Sequence, residues 1–206
     1  MKKKSLALVL ALAMIVVCVV GGTLAWLIAT TPEVKNTFTY GDINIKLEET
    51  GATVAADGSA TKEFKMIPGY TIAKDPKVTV LAGSEKCYLF VKVEMENNTY
   101  GTGDTAVNYL SYAIADGWTR GDGTNIPSNV YYRVVDASTA TADQEFGVLK
   151  NDQVTVNDTV TKTMLNALNA EGATQPTLTF TAYACQYMKN STASFSAIEA
   201  WNNVTT

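Results

Sequence analysis

The sequence predicts an all-β protein: a jelly-roll-like antiparallel β-sandwich with short helical pieces, preceded by an N-terminal signal helix. Three observations predict it. Beyond Pro32 the chain breaks into short segments rich in Val, Thr, Tyr and Ile in which apolar and polar side chains alternate, the period-two signature of strands. Polar loops of Gly, Asn and Asp, uneven in length, separate roughly eight such segments, enough for two packed sheets. The start of the chain has a different composition from everything after it, with a basic cluster and then a long uncharged run.

That start reads as an export signal. Lys2, Lys3 and Lys4 form the basic region, the apolar run begins at Leu6, and Gly21-Gly22 breaks it. Thr23 and Ala25 then supply the small residues at −3 and −1 that a signal peptidase requires, with cleavage before Trp26. The division expected is a signal peptide over 1–25 and a single β-sandwich domain over 26–206. A second reading stays open, because the uncharged stretch from Ser5 to Pro32 exceeds the ~20 residues that span a bilayer and could remain as an anchor.

The strands follow in order. The first runs from Val34 to Glu48; Phe38 and Tyr40 share one parity and Ile43, Ile45 and Leu47 the other, so a bulge at Gly41-Asp42 would keep all five inward. Residues 51–61 read as a polar loop. Met66-Ile67-Pro68-Gly69 reads as a turn, with Pro at the first corner and Gly accepting positive φ at the next. A strand is expected at 77–81. The clearest strand is 86–96, with Cys87, Leu89, Val91, Val93 and Met95 inward and a mostly charged face, including Tyr88 and Phe90, toward water.

Further strands are expected at 109–115, 130–136, 153–158 and 177–187, the last with Leu178, Phe180, Ala182 and Ala184 inward. Met164, Leu165 and Leu168 have helical spacing. The tail reads as an amphipathic helix capped by Ser194, with Phe195, Ile198 and Trp201 on one face. No repeat of fixed period and no domain linker interrupts the pattern.

Composition narrows the chemistry. The chain has 16 basic and 20 acidic residues and no histidine, and loss of the three leading lysines makes the exported form more acidic still. An acidic surface excludes nucleic acid as a partner. Without histidine there is no Ser-His or Cys-His nucleophile pair and no HExxH zinc site. No catalytic residue, cofactor site or metal site is assigned. Asp116 and Asp122 in a Gly-rich stretch suit calcium or, more simply, turns. Glu48-Glu49 and Glu94/Glu96 are the nearest carboxylate pairs, and neither is assigned acid–base work. Tyr131, Tyr132, Tyr183, Tyr187 and Trp118 either line a sugar-binding face or pack across strands. Cys87 falls on an inward face and Cys185 on an outward one, and the sequence leaves their pairing open.

The segments 21–27 (GGTLAWL) and 36–45 (NTFTYGDINI) carry a resemblance. A small-Ala cleavage site followed at once by the aromatic Trp26, the spacing of Phe38, Gly41, Ile43 and Ile45, and Pro68-Gly69 followed by Lys74-Asp75 resemble the TasA/camelysin family. These are secreted proteins of Gram-positive bacteria whose signal is removed by a dedicated signal peptidase. The resemblance is closest over residues 1–48. One departure is the lack of an acid in Ile28-Ala29-Thr30, just after the cleavage site.

What the resemblance implies is a non-enzymatic subunit of extracellular biofilm-matrix fibres, secreted to the matrix or cell surface. Its partners would be the signal peptidase and further copies of itself, with an accessory matrix protein left open as a third. The implied mechanism is donor-strand exchange, in which the freed segment 26–36 adds to the sheet of the next subunit, with Trp26, Leu27, Ile28 and Val34, and Phe38 just beyond it, as the residues that enter. Two other classes remain as expectations: a monomeric adhesion or carbohydrate-binding module, anchored or secreted, and a camelysin-like protease.

Overall fold

The computed structural model describes residues 41–139 and 141–205. Gly41–Thr206 form one compact unit. The signal segment, the cleavage residues Thr23, Ala25 and Trp26, and Leu27, Ile28, Val34 and Phe38 of the entering segment all lie outside the described residues.

The chain is mainly β. Its strands are β1 (Ile45–Glu48), β2 (Thr53–Val54), β3 (Ala60–Thr61), β4 (Thr71–Ala73), β5 (Lys77–Val80), β6 (Cys87–Glu96), β7 (Thr99–Tyr100), β8 (Val107–Asn108), β9 (Leu110–Ser111), β10 (Thr119–Arg120), β11 (Val130–Val135), β12 (Gln144–Gly147), β13 (Gln153–Val156) and β14 (Thr177–Gln186). Among the described residues two short α-helices, α1 (Lys162–Ala167) and α2 (Ala197–Thr205), come late. Every strand pair is antiparallel.

Two layers result. One holds β10-β11-β6-β14. The other is built from β1-β5-β12 and β4-β13-β9, which join end to end because Lys74 N–H donates to Asp152 O (2.8 Å) and Val148 N–H to Pro76 O (3.0 Å). Pro76 cannot donate to a ladder, and Asn151 and Asp152 have positive φ (56° and 53°), so this layer bends where those residues interrupt pairing. Between the layers Val78, Val80 and Val148 meet Cys87, Leu89, Val91, Val93 and Val135, all nearly inaccessible. Each such side chain contributes roughly 1.5–3 kcal/mol on full burial.

The alternation in β6 has the inward set expected from the sequence, but its other face is not open to water. Tyr88 and Phe90 are 8% and 0% exposed, covered by α2. The Phe90 ring lies 5.3 Å from Trp201 and 6.0 Å from Tyr132, and Trp201 stands edge-on to Tyr183 at 5.6 Å. The helix turns in Ala197, Ala200, Trp201 and Val204, at i, i+3, i+4 and i+7, while Ile198 stays 38% exposed. Its cap is Ser196, not Ser194: Ser196 Oγ accepts from Glu199 N–H (3.3 Å) and Glu199 Oε2 accepts from Ser196 N–H (2.9 Å), a reciprocal capping box. Ser194 instead bridges to Met188.

Other expectations fare unevenly. Residues 51–61 form the β2-β3 hairpin rather than a plain loop. The turn at Pro68-Gly69 is present, closed by Tyr70 N–H to Ile67 O (3.0 Å) with Gly69 at φ 75°. The strand expected at 109–115 is broken, with β9 covering two residues and a single bridge at Ile114. Strands β4, β7, β8, β10 and β12 were not anticipated. Cys87 and Cys185 are both buried free thiols. They occupy adjacent strands but opposite faces, one in each core cluster, so no bridge joins them.

Candidate functional site

The site grows from one edge that has no strand partner among the described residues. In an antiparallel ladder, alternate residues turn their backbone groups toward a given neighbour. Tyr187 N–H donates to Lys86 O (2.9 Å), which fixes the phase of β14 against β6. Two steps along, Cys185, Tyr183, Thr181 and Thr179 are then the residues bonded to Tyr88, Phe90, Lys92 and Glu94 in the register. Leu178, Phe180, Ala182 and Ala184 therefore direct N–H and C=O away from β6. Among the described residues no strand pairs with β14 on that side, although β1 of the other layer packs near it.

Beside this edge runs a groove of about 1080 Å³. One wall is Gln175–Thr181. The other is the stretch from Thr61 to Met66, in which Lys62, Phe64 and Met66 are half-buried while Glu63 and Lys65 are exposed. That alternation belongs to a strand, yet among the described residues Lys62 to Met66 make no backbone–backbone hydrogen bond. Leu47, Ile72, Leu110 and Val154 line it further. β14 and the 61–66 stretch thus border an apolar slot, and among the described residues neither has a backbone partner across it. Thr177–Thr181 at ~3.3 Å per residue offers about 17 Å of edge.

The floor is charged, against the apolar trend. Lys74 Nζ pairs with Glu49 Oε2 at 2.6 Å, with side chains 11% and 12% exposed. The same ammonium lies over Phe64 (5.2 Å) and Phe180 (5.4 Å), so it ties the two walls together. Lys62 Nζ donates to Thr50 O (2.6 Å) and stands 3.8 Å from Glu49 Oε1. Among the described residues that buried oxygen has no hydrogen-bond partner. Asp75 accepts from Thr50 N–H (3.2 Å), a bond that holds its carboxyl below the usual carboxylate range. The Lys74-Asp75 pair therefore grips the end of β1 through Glu49 and Thr50.

Sequence reasoning found the edge strand but missed the slot. Glu49 follows Leu47 at the inward parity, and Lys74 follows Ile72 in the same way; parity was the signal that both enter the interior. The other candidates disperse. Asp122 Oδ1 accepts from the backbone N–H groups of Thr124, Asn125 and Ile126, which holds its carboxyl well below the usual range, and Asp116 pairs with Lys150. Glu94 pairs with Lys92. The aromatics do not share one face: Tyr132, Tyr183 and Tyr187 pack around α2, whereas Tyr131 and Trp118 belong to the core between the layers.

Among the described residues no helix is long and apolar enough to cross a membrane. No protein-family model, curated protein or solved structure matches this chain.

Proposed function

We propose that this protein is a secreted structural subunit of extracellular biofilm-matrix fibres, a jelly roll of the TasA/camelysin kind that polymerises by donor-strand exchange. A dedicated signal peptidase removes residues 1–25, and the freed segment 26–36 enters the slot of the next copy. The observation that carries the reading is the β14 edge, which among the described residues has no strand partner, bordering an apolar groove walled on its other side by the 61–66 stretch, which among those residues has no backbone partner either.

The chemistry fits at both ends. From Trp26 to Tyr40 the even positions are Trp, Ile, Thr, Pro, Val, Asn, Phe and Tyr, mostly apolar, and from Thr31 to Thr39 the odd positions are polar. Such a segment buries one face as a strand. Added to an open edge it gains backbone hydrogen bonds along its length and seats alternate side chains. The contact is head-to-tail and does not close on itself, which yields filaments rather than rings. The membrane-tethered precursor would hold its own segment back until cleavage. Electron microscopy of the mature protein with and without residues 26–36 tests this: the intact chain forms fibres and the truncated one stays monomeric. Fibres from the truncated chain would refute it.

A further inference from the structure

We propose that Arg133, held between Phe146 and Trp118, is a binding site for a carboxylate ligand, gripped by the two Nη groups at the outer edge of the guanidinium. The inference is independent of the assembly reading, because the site lies where β11 meets β12, across the sheet from β14.

Arg133 has the inward parity of Tyr131 and Val135, which pack in the core between the layers, so a full charge enters an apolar setting. Its guanidinium carbon lies 4.2 Å from the centre of the Phe146 ring and 5.5 Å from that of Trp118. Trp118 is itself fixed, its Nε1–H donating to Gly147 O (2.9 Å). Three side chains from both layers thus build the site before any ligand arrives. Aromatic faces meet the flat sides of a guanidinium, not the N–H groups that lie in its plane.

Those N–H groups are unmet. Among the described residues Arg133 forms no ion pair or hydrogen bond, and its Nε is buried. The acids beside the three side chains in sequence are taken, Asp116 by Lys150, Glu145 by Lys77 and Asp136 by Lys86. Lys65, Arg120 and Lys162, the other described cations without an acid, are exposed and solvated. The fork is also reachable. β10 pairs with β11 at Tyr131 and Tyr132 and stops short of Arg133. Both Nη atoms face the exposed Gly117, where a Cβ would stand 3.4 Å from each, so glycine leaves that approach clear.

The chemistry selects a carboxylate. Its two oxygens match the parallel N–H groups of a guanidinium, and the apolar flanks strengthen the bonds by keeping water off. A phosphate dianion calls for a second cation. Burial alone lowers the guanidinium's pKa from its ordinary value, so no described charge of either sign acts closely on it.

Nuclear magnetic resonance of the dilute, monomeric mature protein tests this. The chain has two arginines, Arg120 and Arg133, and the spectrum of Arg120→Lys assigns the Arg133 Nε–H signal. Acetate and glucuronate replace chloride at constant ionic strength, with glucose and phosphate in parallel. The Arg133 Nε–H and Trp118 indole signals are expected to shift saturably, half-way at about 1–10 mM, while Arg120 stays unmoved. Equal affinities for the two carboxylates place recognition in the carboxylate itself, and tighter glucuronate extends the site to a sugar ring; both support the assignment. Arg133→Lys keeps the charge but loses the fork. With its amide spectrum intact it is expected to bind about tenfold more weakly, the loss of one charge-assisted bond. The assignment is overturned if neither carboxylate saturates, if glucose or phosphate shifts the signals as strongly as acetate, or if Arg133→Lys binds unchanged. Should that variant not fold, the wild-type titration decides by itself.

Discussion

Replacing Lys74 by Met should be among the most damaging changes outside the central core. The substitution keeps the length of the side chain and its contacts with Phe64 and Phe180, but among the described residues it leaves Glu49 buried with Lys62 as its one cation, 3.8 Å from one oxygen. Removing one partner of a buried pair costs about 3–5 kcal/mol, because the remaining charge keeps its desolvation penalty. For a domain of this size a loss of 1 kcal/mol lowers Tm by roughly 2–4 °C, so the drop should be about 6–20 °C. Replacing both residues, Lys74→Met with Glu49→Leu, removes the stranded charge and should restore most of the loss. Urea and thermal unfolding of dilute, monomeric mature protein would measure all three differences. If Lys74→Met costs under ~1 kcal/mol, the range of exposed pairs, the pair is solvated in solution and the account of the slot floor is wrong.

Three further outcomes are expected. Trp201→Ala, which empties the space between α2 and the Phe90 and Tyr183 rings, should cost about 3–5 kcal/mol and weaken the near-ultraviolet circular dichroism of the aromatic cluster. Glu199 is held down to about 2 by Lys189 and then by Ser196, below its ordinary value of 4.5; its contribution is present above 4.5 and lost as pH falls toward 2. The stability gap between wild type and Glu199→Gln at neutral pH should therefore close by pH 2 in acid titrations. Burial pushes the Cys87 thiol up to about 11 and raises Cys185 as well. Neither should react with a maleimide in the native protein, and both should react in denaturant without reductant.

Much of the framework is legible locally. β6, β11, β13 and β14 announce themselves by alternation, and the Pro68-Gly69 turn by its backbone demands. What the sequence conceals depends on distant partners. The polar-looking side of β6 is partly covered because α2 returns more than a hundred positions later, as the Tyr88 hydroxyl donating to Phe195 O records (3.1 Å). Ser194 and Ser196 look alike as caps, and only Glu199 three residues after Ser196 decides between them. Residues 62–67 alternate like a strand, but pairing is a property of two segments, and here no described neighbour takes up the ladder. Glu49 reads as the end of a strand before a loop until Lys74 is folded against it.

The placement of α2 has a practical side. Because that helix lies against the outer surface of β6 and of β14 at Tyr183 and Cys185, a fluorescent reporter joined downstream of it would hang from the sandwich away from the Gln175–Thr181 wall of the groove. Living cells could then be imaged building the polymer, with the label riding on every copy.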